Sequence, residues 1–488
     1  MTMPGRAFHE RLREHASRIG DVAAIVAPSA SISYGALEVE VHGLASALRS
    51  RGIGRGTVAA LTARGEVDHL LATLALLELG VPQVGLASRD PPAMRMRLAR
   101  RAGATTVLGD RPDDAVAGLA WVDLGAALAS GRANPCGAPA PEVDASAPAL
   151  YLTGSGTTGE PKIIRFAQRD LALHARNHID FVGQRVLRPA HVEYNNSKRM
   201  RLYTLWQGGT CVLADGSAES LHSQCARLGV TWLELSPLHG ADLLAASRIE
   251  GRLPAFTSVR VGGARVPIAL RRAIMAEASP RLFVSYGTTE TSFVSVADPT
   301  MHDDRETVGP PAAGVIAEVL LADGGHAAPG EIGEIRLRTP GMATGYVGDA
   351  AATARHFRDG WFVPGDLASL GADGRLYLHG RKDDMMIMNS INIFPAEIER
   401  TLEAHPAVEA AAAFPIPSEV HGQIPAAAVE LREGCACTAS ELVGYARGAL
   451  GVRAPRRIEI LASLPRNAQG KIVRREIAGM IDPRKVGE

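Results

Sequence analysis

The sequence of 488 residues has no excess of charge of either sign, since 52 basic side chains stand against 52 acidic ones. A neutral chain gives no electrostatic reason to expect nucleic acid or an anionic membrane as its general partner. It lacks any uninterrupted apolar run of about 18 residues, so no membrane span is expected. Residues 1–14 have an early Pro4 and several charges but no apolar core, which excludes a secretory signal there. Cysteine is scarce and odd in number: Cys136, Cys211, Cys225, Cys435 and Cys437 are scattered. That pattern points to reduced thiols in a cytoplasmic protein rather than a disulfide framework. Cys435-Ala-Cys437 has no Cys/His cluster to partner it, so no zinc site is expected. There are no internal repeats and no low-complexity tract. What is present, 46% apolar residues, suits a globular chain long enough for two or more domains.

Residues 1–150 alternate helical and strand patterns. A helix is predicted over 37–49, a strand over 58–61 and a helix over 69–79, stopped by Gly80. Such alternation predicts a parallel sheet flanked by helices. Residues 132–148, rich in Pro, Ala and Gly, read as a surface connection. Further strands are predicted over 147–152, 228–236, 256–261 and 282–285, with a helix over 268–278. From about 308 to 378 short strands and Gly/Pro/Asp turns replace the alternation, with strands over 316–321 and 334–337. The last hundred or so residues, with helices over 396–404 and 439–450, read as a separate small α+β domain. The expected fold is therefore α/β: a large N-terminal domain, residues 1–380, with a small β-rich part, and a small mobile α+β domain, residues 381–488.

One loop organises the chain. A buried strand breaks into Thr153, Gly154, Ser155, Gly156, Thr157, Thr158 and Gly159, followed by Glu160, Pro161 and Lys162. Glycines let the backbone turn its N–H groups toward an anion, hydroxyls add donors, and lysine adds a point charge. The order differs from the common phosphate loop, which needs lysine directly after its last glycine. Taken alone, the stretch also reads as a flexible linker. Two more apolar strands end in small or polar segments, Gly262-Gly263-Ala264-Arg265 and Tyr286-Gly287-Thr288-Thr289-Glu290. Ligands of open α/β sheets collect outside the carboxyl ends of strands, so these segments are expected to converge.

Five motifs occur in order: Ser155-Gly-Thr-Thr-Gly-Glu-Pro-Lys162, Tyr286-Gly-Thr-Thr-Glu290, Gly360-Trp-Phe-Val-Pro-Gly-Asp366, Gly380-Arg-Lys-Asp-Asp384 with Ile393-Phe-Pro-Ala-Glu-Ile-Glu399, and Pro465-Arg-Asn-Ala-Gln-Gly-Lys471. By these, the whole chain resembles the adenylate-forming superfamily of acyl- and aryl-CoA synthetases, stand-alone adenylation domains and luciferase. The resemblance implies an AMP-forming acid–thiol ligase. It would convert a carboxylic acid and ATP to an acyl-adenylate and pyrophosphate, then pass the acyl group to CoA. Loading of a carrier-protein phosphopantetheine, amide formation, and a non-catalytic nucleotide-binding paralogue are the alternatives.

It also implies roles by position. Thr153, Ser155, Gly156, Thr157, Thr158, Gly159 and Lys162 would hold the β- and γ-phosphates. Glu290 would bind Mg²⁺ and Thr289 contact the α-phosphate. Adenine would lie between Gly263-Ala264-Arg265 and Tyr286-Gly287, and Asp366 with Arg381 would take the ribose. Asp383 would be the hinge on which the small domain turns. Lys471 would offset charge building in the transition state.

The sequence departs from the pattern at Ile163, Pro364 and Ile387, the last arguing against light-emitting oxygenation. Ser390 stands where many thioester-forming members have a tunnel glycine. The acid pocket is expected near Tyr194, Asn195 and Ser236. Lys198, Arg199 and Arg201 are expected to lie on a solvated surface, and Trp232 in the core.

Overall fold

Ten consecutive residues of the helix Glu66–Glu78, from His69 to Glu78, are buried on every side. The helix packs on the helices Phe8–Arg18, Tyr34–Ser50 and Leu124–Ala133 and on the strand Ala59–Thr62. A helix that is apolar all round belongs in the middle of a large core. The computed structural model describes residues 7–28, 30–137, 141–154, 162–214, 219–388, 391–418, 422–467 and 470–481. Within them four sheets form.

The first sheet runs, in spatial order, Ser292–Ala297, Leu282–Thr288, Ser258–Gly262, Trp232–Leu235, Arg185–Leu187, Thr210–Val212, Ala23–Ala27, Ala30–Ser33. All its inner pairings are parallel, and only the two edge strands turn back. The second runs Ala120–Asp123, Thr106–Gly109, Ala59–Thr62, Gln83–Gly85, Pro148–Gly154, Lys162–Ala167. It is parallel up to its last pair, in which Thr153 faces Ile163 across the loop. The predicted parallel sheet is thus two sheets. Periodicity marks strands but not which of them pair.

A third sheet is antiparallel and short-stranded, from Ile316–Leu320 to Leu376–Arg381, and shares an apolar cluster with the first. This is the predicted β-rich part. The fourth sheet starts at Met386 and has its own apolar core with the helices Pro395–Glu403, Ala439–Leu450 and Arg474–Met480. The molecule therefore has a large N-terminal domain of sheets and helices and a small C-terminal one.

Several predicted bounds move. The strand expected over 228–236 is only Trp232–Leu235, because Gly229 takes a positive φ and ends the preceding helix. The helix expected over 268–278 is α-helical to Ala273 and continues as a wider turn, Ile274–Ala278. Among the described residues, no helix is long and apolar enough to cross a membrane.

Candidate active site

Four neighbouring parallel strands of the first sheet point their carboxyl ends the same way: Leu282–Thr288, Ser258–Gly262, Trp232–Leu235 and Arg185–Leu187. Just beyond them stand Thr289 and Glu290, Gly263, Ser236, and Arg188. Gly263 has φ +87° with open space above it. Gly287 is required for packing: a Cβ there would lie 2.2 Å from the Ser292 carbonyl oxygen, where the chain doubles back.

The third sheet brings Asp366 and Arg381 opposite each other in register. Asp366 accepts hydrogen bonds from the Arg381 guanidinium at 3.0 Å and from the Tyr286 hydroxyl at 2.5 Å. Burial and the adjacent carboxylate hold the Tyr286 phenol far above its usual range, so it stays a donor. A carboxylate has about four acceptor positions, so two remain for further hydroxyls.

Glu290 accepts a hydrogen bond on Oε1 from the Tyr346 hydroxyl at 2.8 Å. The Tyr346 ring also carries the Lys162 ammonium over its face, 4.7 Å from the centroid. Lys162 donates to His356 Nε2 at 3.2 Å, while His356 Nδ1 donates to the Val363 carbonyl at 2.8 Å. Tyr346 therefore ties the loop lysine to the acidic residue. Its own backbone is bridged to Ile164 of the strand that leaves the loop. Sequence reasoning missed Tyr346 and His356, because neither belongs to one of the five motifs. The fit to a magnesium-nucleotide is a single carboxylate whose Oε2 takes no hydrogen bond among the described residues, linked to a lysine through Tyr346. Among the described residues, no cluster of three or more His, Cys, Asp or Glu could hold a metal on its own.

Lys471 lies in a turn pinned by Asn467, whose side chain accepts from the Lys471 N–H at 3.0 Å. A Cβ at Gly470 would sit 2.5 Å from the Leu238 Cβ, so this turn is pressed against the first turn of the helix Pro237–Glu250 in the large domain. The residue as a whole stays exposed, yet its ammonium is crowded. Burial first, then repulsion from Arg474 and Arg381, lower its pKa, with Asp366 and Asp384 opposing. The structure thus gathers Tyr286, Asp366, Arg381 and Lys471, residues from four separate motifs.

Other expected residues take different places. Ser155, Gly156, Thr157, Thr158, Gly159 and Ser390 lie outside the described residues. Asn195 donates to both the carbonyl and the hydroxyl of Thr153, at 2.8 and 2.7 Å, so it braces the loop's first residue. Tyr194 caps the helix Asn195–Gln207 through its backbone. Ser236 caps the helix Pro237–Glu250 and hydrogen-bonds His239 Nδ1 at 3.0 Å. The Arg265 side chain pairs with Glu306 at 2.7 Å and with Glu403 of the small domain at 2.8 Å. Asp383 lies exposed in a one-turn 3₁₀ segment, Lys382–Asp384, between the third and fourth sheets. Trp232 is in the core, as expected.

The surface reading of Lys198, Arg199 and Arg201 is wrong. They are 1%, 4% and 4% exposed, on a helix buried from Ser197 to Leu205 between its neighbours. Pairing makes this possible: Arg201 meets Glu66 at 2.8 Å, and Lys198 lies in the field of Glu193. Burial still pushes the Lys198 pKa down to about 8.

Comparison with known proteins agrees with this arrangement. The profile of the AMP-binding enzyme family matches residues 12–347, and that of its C-terminal domain matches 397–471. The chain is 31% identical over 472 residues to the sulfoacetate–CoA ligase of Cupriavidus necator, covering 91% of each. It is 28% identical over 514 residues to the indoleacetate–CoA ligase of Aromatoleum aromaticum, covering 97% of this chain and 98% of that one. The crystal structure of ATP-bound MatB from Rhodopseudomonas palustris superposes with a TM-score of 0.88 at 23% identity, over 97% of this chain and 98% of that one, which shows the shared fold. The chain belongs to the AMP-binding enzyme family, as an AMP-forming ligase of the acid–thiol kind.

Proposed function

We propose that this ligase activates a short polar carboxylic acid with ATP and transfers the acyl group to the thiol of CoA. The carrying observation is Lys471: a turn of the small domain seats it against the large domain, within the field of Asp366 and Arg381. Asp366 and Arg381 would take the ribose hydroxyls, with adenine between Gly263 and the Tyr286 ring. The loop 153–162 would hold the β- and γ-phosphates with Lys162, and Thr289 the α-phosphate. Glu290 would hold Mg²⁺, which when bound neutralises charge on the triphosphate. Lys471 would then face the bond-forming centre. Burial first, and then the nearby Arg474 and Arg381, lower its pKa, and a bound triphosphate would favour its charged form.

The two domains, residues 1–380 and 381–488, would be joined at Asp383. Rotation there would withdraw Lys471 and admit the thiol. The sulfoacetate-activating relative supports a small polar acid and CoA as acceptor.

The test is acid-dependent exchange of labelled pyrophosphate into ATP. Lys471→Ala should lower the exchange rate by about 10²–10³-fold, the usual effect of removing one preorganised charge stabiliser. ATP affinity, measured by calorimetry, should change far less. Full exchange in Lys471→Ala would remove the lysine from the reaction. No exchange by the wild type with any acid would overturn the ligase reading.

A further inference from the structure

Behind Thr289 the protein buries more positive charge than it neutralises. Lys198, Arg199, Arg201 and Arg260 are buried and Arg188 nearly so, against the three carboxylates of Glu66, Glu193 and Glu234. Three of the cations are accounted for. Arg201 pairs with Glu66, Arg260 binds Glu234 through Nε at 2.8 Å, and Lys198 lies near Glu193. Glu234 is further saturated by the Trp232 indole N–H, and Glu193 by the N–H and hydroxyl of Ser88.

Two guanidiniums remain. Among the described residues, the carboxylate that Arg188 reaches is the already occupied Glu234, at 3.7 Å. Arg199 meets no carboxylate among the described residues. It donates from Nη1 to the Thr289 carbonyl at 3.0 Å, and its charge lies over the Phe166 ring. The Nε of each is buried without a partner. They share one region: Arg188 feels repulsion from Arg260, Arg201 and Arg199, and in turn repels His239. Arg188 directly follows the carboxyl end of the strand Arg185–Leu187, and Arg199 reaches from its helix to the Thr289 carbonyl beyond the end of the strand Leu282–Thr288, the side of the sheet where a ligand lies. A buried charge without a counter-ion costs several kcal/mol, so a surplus of two is an unfilled requirement for an anion.

Resting on the adenylation reading, we propose that Arg199 and Arg188 form a subsite for a second anionic group on the acid. The substrate is then a short dianion, with one carboxylate at Thr289 for activation and a carboxylate or sulfonate at the guanidiniums. Thr289 would couple the two ends, because its carbonyl orients Arg199 while its side chain would contact the α-phosphate.

The experiment compares pyrophosphate exchange driven by malonate, succinate and sulfoacetate with that driven by propionate, butyrate and phenylacetate. The dianions should give a kcat/KM at least tenfold higher. Malonate or succinate above sulfoacetate assigns a second carboxylate, and the reverse order assigns a sulfonate. Arg199→Met should cut the dianion-to-monoanion ratio of kcat/KM by about 100-fold, mainly through KM. If that variant does not fold, Arg188→Met must shift the ratio the same way. As a readout without turnover, sulfoacetate or succinate should raise the wild-type Tm where propionate does not. A wild type that prefers the monoanions, or variants that lose both classes equally, would overturn the subsite while leaving adenylation in place. No exchange with any acid would overturn adenylation, and the subsite with it.

Discussion

Two charge clusters are buried in this molecule, and they are balanced differently. One lies where the small domain meets the large one. There Arg265 is held by Glu306 through Nε and Nη2, at 2.8 and 2.7 Å, and by Glu403 of the small domain. Arg400 approaches Glu306 at 3.9 Å, and Arg474 binds Glu399 at 2.7 Å. Arg265, Arg400 and Arg474 are matched in number by the carboxylates of Glu306, Glu403 and Glu399, and the buried Arg271 beside them is held by the carbonyls of Val266, Glu306 and Thr307. The other cluster, around Arg199, has two guanidiniums to spare. The first needs nothing from outside and serves as a joint. The second is complete only with an anion bound, which is what a binding site requires and a joint does not.

The largest difference should come from removing one acid in each place. Glu234→Gln takes the counter-ion from Arg260 and from Arg188 together, in a cluster already short of negative charge. It should cost about 3–5 kcal/mol of unfolding free energy, measured by urea denaturation. Glu306→Gln should cost distinctly less, because Glu403 already touches the same guanidinium and the amide oxygen can still accept. Equal losses would show that the clusters do not differ in balance.

A sharper form uses the same substitution in both. Arg265→Met leaves Glu306 and Glu403 facing each other and should destabilise by about 3 kcal/mol. Arg199→Met removes a charge that lacks a counter-ion, so the ligand-free protein should fall within about 1 kcal/mol of wild type or become more stable. Comparable destabilisation by both, measured in urea without acid or ATP, would mean that Arg199 is structurally paired after all.

The same contrast explains what could be read before folding. Elements with clear periodicity, such as the helix Ala439–Leu450, were legible to the residue. The convergence of Tyr286, Asp366, Arg381 and Lys471 was legible because each sits in a spaced motif. Tyr346 and His356 were not, since only the pairing of Ile164 with Tyr346 across the chain places them beside Lys162. The helix Asn195–Gln207 was misread as surface because its charges look solvated in one dimension. The counter-ions of Arg201 and Lys198, Glu66 and Glu193, lie on other segments, and burial depends on that third dimension. Arg265 was read through its glycine neighbours, while its side chain is claimed by Glu306, 41 residues further along the chain, and by Glu403.

The smallest expected effect concerns Glu403, and it decides how the joint carries its charge. Glu306 takes Arg265 with two hydrogen bonds, so Glu403 is the second carboxylate on one cation. Its Oε2 lies 2.8 Å from the guanidinium without a well-aligned hydrogen bond. Burial raises its pKa to about 7 from an ordinary 4.5, although Arg265 opposes the shift. A raised carboxyl pKa means that the folded protein binds this proton more tightly than the unfolded chain. Its contribution to stability is therefore complete below about pH 4.5 and is lost as pH rises through 7. Glu403→Gln imitates the protonated form. Variant and wild type should have the same Tm near pH 4, and the variant should be the more stable at pH 8, by about 1 kcal/mol after relaxation and water penetration. A variant less stable at pH 8 would mean that the ionised pair with Arg265 outweighs its desolvation. Glu403 would then be a full partner in the joint, and the balance of the two clusters would differ by one charge more than the neutral reading allows.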